Sequence, residues 1–404
     1  MNKNVPLEMA LELALANVTQ LPDEECDLLQ AVGRVLAKPL QASVNLPPFD
    51  RSPLDGYALR SADTTGASCR VPAVFKVTEE VPAGYTSRGR VEPATAIKVS
   101  TGAPLPPGAD CIIRFEDTKR MGNMVVIDRP LTAGSSIVWC GEDVQKGEVL
   151  LAEGQLLGSA EIGLLAALGH RRVKVYRQPR VAVISVGDEL EAKAGPLKPG
   201  KIYDSNRYGL AAGVIEAGGL ADIFGPLPDR IEPLQEMLKA LNHEYDLIVT
   251  TGGVSVGDYD LVPKTFRTAG AETLFWKASF KPGSPVCVAL LNSTLLAGLS
   301  GNPAAATISF ELLVRPVIAM MGGRRDWQRQ RAVVTLDQAF DRGGSQRRFL
   351  RAQAYSDGTR LRARLTGSQS PGILKSMLGC NALLDVPGGH GPLRPGDELE
   401  AILL

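Results

Sequence analysis

The chain has 404 residues, of which 44% are hydrophobic and 22% are charged. This length exceeds the roughly 250–300 residues at which one core stops growing, so several domains are expected, and the composition excludes a largely disordered chain. The 44 basic residues balance the 44 acidic ones, so no net charge draws the chain to nucleic acid or to an anionic membrane.

The N-terminal segment and the cysteines indicate a cytoplasmic protein. Glu8 and Glu12 interrupt the apolar run that a signal peptide needs, and no stretch approaches the ~20 apolar residues of a membrane span. The six cysteines are scattered without a CxxC pair, which favours a reducing compartment over disulfides or structural zinc. The three histidines have no motif spacing, so they are interpreted as structural or surface residues.

The first half of the chain changes character three times. Apolar residues at helical spacing predict helices over residues 6–19 and 27–37. After the loop NLPPFDRSPLDGYAL, residues 71–138 contain short alternating runs typical of a small β domain. The helical pattern resumes at residues 159–168. We therefore expect a β unit inserted into a helical N-terminal domain.

The second half of the chain predicts two further units. From residue 180 to residue 299, strands, loops and helices alternate, with helices expected over residues 207–218 and 232–242. This alternation favours a parallel sheet with helices on both faces. The last ~80 residues return to short strands, which predicts a separate all-β unit.

Two predicted strands end in loops that carry unusual residues. In VISVGDEL, Asp188 and Glu189 come directly after a strand. In TTGGVSVGDYD, the glycines Gly252 and Gly253 follow Thr251, and Ser255 comes next. Ligands of open α/β sheets bind beyond the carboxyl ends of the strands, and glycine backbones can approach an oxyanion closely there. The second loop is therefore expected to cradle phosphate, although such turns are as often only tight connections.

A third loop, GLSGNPAAATISF, is expected to begin a helix at the same edge. Asn302 can cap a helix that starts at Pro303, just after Gly301. The N-terminus of that helix would then direct backbone N–H groups and the positive end of the helix dipole towards a bound anion.

Several charged residues allow a structural or a functional interpretation. Asp229 could cap the next helix together with Glu232, Asp55 could be a turn residue, and Lys277 and Lys281 could be surface lysines. The accumulation of such loops at one sheet edge favours function. Carboxylates suit a divalent cation, and lysines offset negative charge on phosphate or on a tetrahedral oxyanion.

The motifs, taken in order, resemble the molybdopterin molybdenumtransferase family, the group of MoeA and the gephyrin E-domain. The matching segments are LPPFDRSPLDGYAL, STGAPLPPGAD, GEDV, VISVGDEL, IYDSN, TTGGVSVGDYD, FKPGSP, GNPAAA, TGSQSPGIL and LGCNALL. The resemblance covers essentially the whole chain.

The resemblance implies a multidomain α/β protein with four domains. These are an elongated, discontinuous N-terminal domain (1–50 and 136–175), an inserted β domain (51–135), a three-layer α/β molybdopterin-binding domain with a parallel-type sheet (176–326) and a C-terminal β-barrel (327–404). It also implies a homodimer, with Asp55 reaching the active cleft from the partner subunit. A molybdopterin adenylyltransferase is the expected upstream partner, and neither nucleic acid nor a membrane is expected to bind.

The resemblance further implies that the chain inserts molybdenum from molybdate into adenylylated molybdopterin and releases AMP, with Mg²⁺ as the divalent cation. The predicted catalytic residues are Asp55, Glu189, Asp229, Asp260, Lys277 and Lys281, and the metal ligands among them are Glu189, Asp229 and Asp260. The predicted substrate-binding residues are Thr101, Asp143, Asp188, Asp204, Ser205, Asn206, Thr251, Gly252, Gly253, Ser255, Gly301, Asn302 and Pro303.

The chain departs from the family pattern at five positions that border the expected cleft. They are Arg51, Cys140, Val186, Ser284 and Ser300. Ser284 stands where the family has a lysine, and we hypothesise that Arg51 partly replaces the lost charge. The acids and the two predicted lysines are retained, so the chemistry is expected to survive with an altered oxyanion affinity or a preference for tungstate.

Two alternatives remain at this point. A molybdopterin adenylyltransferase-like enzyme would share the α/β domain, but that group reads GGTG where this chain has GGVS. A non-catalytic pterin-binding scaffold, or a divergent paralogue, would need no such set of acids and bases.

Overall fold

The computed structural model describes residues 2–192, 194–254 and 261–404. Contacts divide the chain into two compact units. The first unit comprises the chain up to Ala37, Gly154–Gly158 and Arg172–Leu404. The second comprises Lys38–Glu153 and Ser159–Arg171.

The described residues form strands, α-helices and short helical turns. The strands are β1 Asn2–Val5, β2 Asp23–Asp27, β3 Leu40–Gln41, β4 Gly56–Leu59, β5 Ala73–Val81, β6 Thr95–Val99, β7 Cys111–Arg114, β8 Lys119–Met121, β9 Met124–Ile127, β10 Val149–Leu151, β11 Arg172–Tyr176, β12 Arg180–Val186, β13 Leu190–Glu191, β14 Ile202–Tyr203, β15 Leu220–Leu227, β16 Leu247–Thr251, β17 Glu272–Ala278, β18 Phe280–Lys281, β19 Cys287–Leu291, β20 Thr294–Leu299, β21 Arg331–Leu336, β22 Arg347–Ser356, β23 Leu361–Leu365, β24 Ala382–Val386 and β25 Glu398–Leu403. The α-helices are α1 Leu7–Leu15, α2 Ser159–Ala167, α3 Asn206–Glu216, α4 Ile231–Leu241, α5 Leu261–Thr268, α6 Pro303–Ser309 and α7 Arg315–Met321. The 3₁₀ turns are Leu28–Ala31, Ser61–Thr64, Phe115–Asp117 and Leu374–Met377.

A seven-stranded sheet lies at the centre of the first unit, in the order β1-β17-β19-β20-β16-β12-β15. All its pairings are parallel except those of β19, which runs antiparallel to both neighbours. The central strands β16 and β20 are buried along their whole length, as is typical of strands covered on both faces.

Helices cover both faces of this sheet. One core packs the sheet against α1, α3 and the long helix made by α6 and α7. The other packs it against α4 and α5. The expected three-layer α/β arrangement is confirmed, and the carboxyl ends of β12, β16 and β20 lie side by side at one edge.

The long helix is continuous because a π turn, Phe310–Val314, joins α6 to α7. Pro303–Met321 is long and apolar enough to cross a membrane by length and composition, but 83% of its most apolar window is buried inside the protein. This burial is typical of a core helix.

Two details of the N-terminal region differ from the pattern-based predictions. Residues 27–37 form no α-helix but a single 3₁₀ turn followed by extended bridges. Leu29 is 83% exposed and Val32 55% exposed, so their helical spacing does not face a core. The pattern also missed β1, because a short polar strand is recognisable only from its pairing with β17.

The C-terminal strands form a closed barrel, as the resemblance implied. β22, β23, β21, β25 and β24 pair in that order, and β24 pairs back to β22. A separate apolar core fills the barrel. The short strand β18 pairs in parallel with β22, which joins the segment that carries Lys281 to the barrel.

The second unit contains a six-stranded sheet in the order β7-β4-β6-β5-β9-β8. It also contains the pair β3 and β10 and the helix α2. Five of these strands lie within residues 71–138, where short alternating runs predicted a β domain, whereas β4 lies in the segment NLPPFDRSPLDGYAL, which was predicted as a loop.

Candidate active site

The loop after β16 requires glycine for two reasons. Gly252 has φ +93°, and a Cβ there would lie 2.0 Å from the carbonyl oxygen of Val186. Gly253 also has positive φ, at +65°. Val186, one of the five departures from the family pattern, lies at the buried end of β12. The backbone of Gly252 packs directly against it. Glycine lets this loop turn close to β12.

A hydrogen-bond network ties the start of α3 to two of the three predicted loops, those after β16 and β20. Asn206 at the start of α3 donates from Nδ2 to Thr251 Oγ1 at 3.0 Å and to the carbonyl oxygen of Gly301 at 2.8 Å. Thr251 donates in turn to the carbonyl oxygen of Ser300 at 3.0 Å. The structure therefore brings together three of the predicted substrate-binding residues, Asn206, Thr251 and Gly301.

Asp204 has a different setting from the other predicted substrate-binding residues. It is 6% exposed, it accepts a hydrogen bond from Ser185 Oγ at 2.5 Å, and it forms an ion pair with Arg207 at 3.1 Å. A carboxylate with these partners anchors the start of α3 to the end of β12. The neighbouring predicted residue, Ser205, is exposed and precedes α3 without a side-chain capping bond.

Two predicted carboxylates lie on adjacent loops. The N–H of Asp188 donates to Asp229 Oδ2 at 3.2 Å, and the N–H of Asp229 donates to Asp188 Oδ1 at 3.4 Å. The alternative interpretation of Asp229 as a helix cap is wrong, because Arg230 occupies the N-cap position of α4 and no side chain caps that helix. Asp229 instead binds the loop that carries Glu189.

The predicted metal ligands Glu189 and Asp229 lie within the described residues. Asp260 and the predicted substrate-binding residue Ser255 lie outside the described residues. Within the part of the chain that the structure describes, no group of three or more His, Cys, Asp or Glu side chains could hold a metal ion. The exposed carboxylates of Glu189 and Asp229 offer the oxygen ligands that Mg²⁺ takes, but they do not form a complete set by themselves.

Lys281 lines a cavity of about 430 Å³ between the α/β domain and the barrel. Ser284, Ser300 and Asn302 contribute from the α/β side. Further lining residues are Arg342, Arg348, Gln369 and Pro371 from the barrel region. The cavity thus combines three cationic side chains with hydroxyl and amide groups.

The long helix begins beside this cavity. Asn302 occupies the N-cap position and Pro303 the first helical position, as predicted, but the Asn302 side chain makes no capping bond. Ser300 Oγ accepts the N–H of Asn302 at 3.2 Å. The departure at Ser300 therefore gives the turn before the helix a hydrogen-bond acceptor.

The barrel supplies residues that sequence reasoning missed. Arg348 donates to the carbonyl oxygens of Arg342, at 2.5 Å, and Gly343, at 2.7 Å, which orders the loop at the cavity. Arg351 is fully buried and donates to the carbonyl oxygens of Ser368 and Ser370.

Burial lowers the pKa of Arg351, and its Nε and Nη1 have no hydrogen-bond partner among the described residues. No local motif marks these arginines in RRFLRAQ. The family motif TGSQSPGIL could have pointed to Arg351, because it contains the two carbonyl groups to which Arg351 donates.

The two predicted lysines are in different environments. Lys281 lines the cavity, whereas the ammonium of Lys277 lies 4.3 Å from the ring centroid of Trp276. Lys277 has φ +69°, in the left-handed region that residues with a side chain rarely adopt.

In the second unit, Asp55 and Thr101 contact each other. Asp55 Oδ1 accepts the N–H of Thr101 at 2.8 Å and lies 3.3 Å from Thr101 Oγ1. Both side chains are exposed. Gly56 must lack a side chain, because a Cβ there would lie 2.2 Å from the carbonyl oxygen of Ile113. This close approach fixes the PLDGYAL loop.

Asp143 and Arg51 line another cavity of the second unit, of about 470 Å³. The N–H of Asp143 donates to the carbonyl oxygen of Leu46 at 3.0 Å. At the departure Cys140, the thiol accepts a hydrogen bond from Asn45 at 3.2 Å. The hypothesis that Arg51 replaces the positive charge missing at Ser284 stays a prediction. The cavity that Ser284 lines already has positive charge from Arg342 and Arg348.

Comparisons with known proteins cover nearly the whole chain. The family model "MoeA N-terminal region (domain I and II)" matches residues 5–169. "Probable molybdopterin binding domain" matches residues 182–320, and "MoeA C-terminal region (domain IV)" matches residues 333–404.

Full-length relatives agree with these matches. The molybdopterin molybdenumtransferase of Staphylococcus aureus (strain COL) is 33% identical over 399 residues, which is 99% of this chain and 95% of the relative. The protein of the same name from Bacillus subtilis (strain 168) is 34% identical over 99% of this chain and 94% of its own. The solved structure of the molybdopterin biosynthesis moeA protein from Pyrococcus horikoshii OT3 superposes with a TM-score of 0.84 at 32% identity, covering 99% of this chain and 100% of that one. The chain therefore belongs to the MoeA family of molybdopterin molybdenumtransferases.

Proposed function

We propose that this chain inserts molybdenum from molybdate into adenylylated molybdopterin and releases AMP. The observation that carries the proposal is the cationic cavity beside the N-terminus of the long helix. Molybdate is a tetrahedral dianion, and the cavity offers Lys281, Arg342 and Arg348 together with the hydroxyls of Ser284 and Ser300. Cations and the positive end of a helix dipole stabilise such an anion.

The neighbouring sheet edge is suited to the adenylylated pterin. Asn206 and Thr251 hold the loops after β16 and β20 together, so the glycine backbone at Gly252 has a fixed position. Backbone groups without side chains can approach a phosphoanhydride closely, and the fixed polar groups need little reorganisation when charge develops. Water attacks the phosphoanhydride and separates AMP from the pterin phosphate. The dithiolene sulfurs then bind molybdenum, and one molybdate oxygen leaves as water with the protons of the two thiols.

We propose Mg²⁺ as the divalent cation, held by Glu189, Asp229 and Asp260. A bound divalent cation would offset the negative charge of the phosphoanhydride oxygens. Among the described residues, Asp188 orients one of these carboxylates, because its backbone N–H donates to Asp229. Titration of Mg²⁺ by calorimetry should give weaker binding for Asp229→Asn than for the unmodified chain.

We also propose a homodimer in which Asp55 of one subunit serves the site of the other. Mixing an inactive Asp55→Ala variant with an inactive Asp229→Ala variant should then restore activity, because one site of a mixed dimer carries neither substitution. A monomer in sedimentation, or a mixture without activity despite subunit exchange, would contradict this arrangement. The proposed location is the cytoplasm, with a molybdopterin adenylyltransferase supplying the substrate.

AMP release by the purified protein, with Mg²⁺ and with molybdate, tungstate or no oxyanion, tests the function. Release stimulated by molybdate is the expected result, and stronger stimulation by tungstate would reassign the oxyanion. Consumption of ATP would indicate an adenylyltransferase instead. Tight pterin binding without AMP release would indicate a scaffold.

A further inference from the structure

Lys277 is held in a backbone conformation that its own side chain disfavours. It lies within β17, yet its φ is +69°. Its N–H donates to the carbonyl oxygen of Val286 at 2.8 Å, so the strand pairing continues through this residue. Strained backbone of this kind persists where surrounding contacts enforce it, and it is concentrated at functional sites.

The consequence of this conformation is a contact between neighbours in sequence. Successive side chains of an extended strand point to opposite faces of the sheet. Here the ammonium of Lys277 instead lies 4.3 Å from the centroid of the Trp276 ring. Within the described residues, Lys277 has no carboxylate partner at ion-pair distance, so the indole ring is its identified electrostatic partner.

The ring itself is held from two sides. Trp276 packs against the apolar core that contains α4 and α5. On the edge strand β1, Lys3 pairs in register with Trp276, and the Lys3 ammonium lies 5.2 Å from the ring centroid. The indole Nε1 is buried and has no acceptor among the described residues. Packing and the contact with Lys3, rather than a hydrogen bond of Nε1 to a described residue, therefore define the ring position.

We propose that Trp276 is a positioning residue, which holds the ammonium of Lys277 where it stabilises negative charge during phosphoanhydride cleavage. The inference rests on the proposed function and on the catalytic role that the family resemblance implies for Lys277. A cation over an indole face gains electrostatic stabilisation without a counter-ion that would neutralise it. The lysine thus keeps its charge available for the substrate.

The test compares Trp276→Leu, Trp276→Phe, Lys277→Ala and the double variant Trp276→Leu/Lys277→Ala in the AMP-release assay. Trp276→Leu should lower kcat roughly three- to thirty-fold, the range of one cation–π contact, with KM for the pterin little changed. Trp276→Phe should retain more activity than Trp276→Leu, because a phenyl face also attracts a cation and Nε1 has no acceptor among the described residues. Trp327→Leu, at a half-buried tryptophan that lines a cavity beside α1 and the long helix, is the matched control and should leave kcat unchanged.

The double variant separates positioning from general damage to the fold. If Trp276 acts through Lys277, removing the ring from the Lys277→Ala protein should change kcat less than twofold. An equal loss in both backgrounds, or no loss in the single Trp276→Leu variant, would overturn the inference. If Lys277→Ala retains full activity, Lys277 has no catalytic role, whatever the effect of changing Trp276.

Discussion

The predicted site residues of the two units are held in different ways. In the first unit, Asn206, Thr251 and Asp204 are bound by side chains or carbonyl groups from distant segments. In the second unit, Asp55 and Asp143 are exposed on loops, and among the described residues Thr101 alone donates to the carboxylate of Asp55. The first unit therefore provides a preorganised edge of buried and half-buried polar groups beside its exposed carboxylates Glu189 and Asp229, whereas the predicted site residues of the second unit are all exposed.

This difference indicates a division of labour. Groups that stabilise developing charge must be fixed before the reaction, because reorganisation during it adds to the barrier. Groups that complete a site from a loop can remain exposed until substrate or a partner arrives. We therefore expect substitutions in the first unit to have the larger effects.

The largest effect is expected for Asp229→Asn. Loss of this carboxylate should lower kcat for AMP release by about 10²- to 10³-fold, because it removes a group that orients charge in the transition state. The matched control is Glu232→Gln, since Glu232 lies three residues away in the first turn of α4. The control should stay within about twofold. Equal effects of both substitutions would contradict a specific role for Asp229.

Gly252→Ala tests whether the binding edge is set by backbone packing. A Cβ would lie 2.0 Å from the carbonyl oxygen of Val186 at a φ of +93°, so unfolding in urea should show a loss of about 3 kcal/mol or more. Gly218→Ala is the control, since Gly218 has nearly the same φ, +92°, with nothing within 4 Å. It should lose only about 1–2 kcal/mol from backbone strain. Equal losses would mean that the close approach to β12 does not matter.

Lys281→Met tests the cavity at the barrel. Removing one of three lining cations should raise KM for molybdate roughly tenfold, the effect of one charge-assisted contact, with a smaller change in kcat. Lys375→Met, at an exposed lysine of the barrel domain, should leave KM unchanged. If KM for molybdate is unaffected by Lys281→Met, the oxyanion binds elsewhere.

The smallest effect is expected in the second unit, for Thr101→Val. The hydroxyl contact to Asp55 at 3.3 Å is lost, but the backbone N–H of Thr101 still donates to Asp55 at 2.8 Å. Activity should fall only about two- to threefold, since a long, exposed hydrogen bond to a carboxylate that keeps its shorter backbone donor contributes about 1 kcal/mol or less. Thr65→Val, at an exposed threonine of the same unit, serves as the control. A loss of activity as large as that of Asp229→Asn would contradict the proposed difference between the two units.

Local patterns in the sequence predicted much of the site. Apolar runs such as VAVIS and DLIVTT predicted the central strands, and the glycines after them predicted close backbone approach. Pro303 predicted the start of the long helix. These features depend on neighbouring residues and on backbone sterics, so they are readable without knowledge of the fold.

Other features depended on residues far apart in the chain. The pairing of β1 with β17, the buried ion pair of Asp204, the bond between Asp229 and the Asp188 loop, and the arginines of the barrel at the Lys281 cavity are decided by tertiary contacts. The helix expected over residues 27–37 failed for the same reason, since Leu29 and Val32 meet no core. The sequence by itself determined which chemistry is present and where strands and loops alternate. Only the tertiary structure decided which charges meet, because electrostatic and packing energies depend on distances that separation along the chain does not encode.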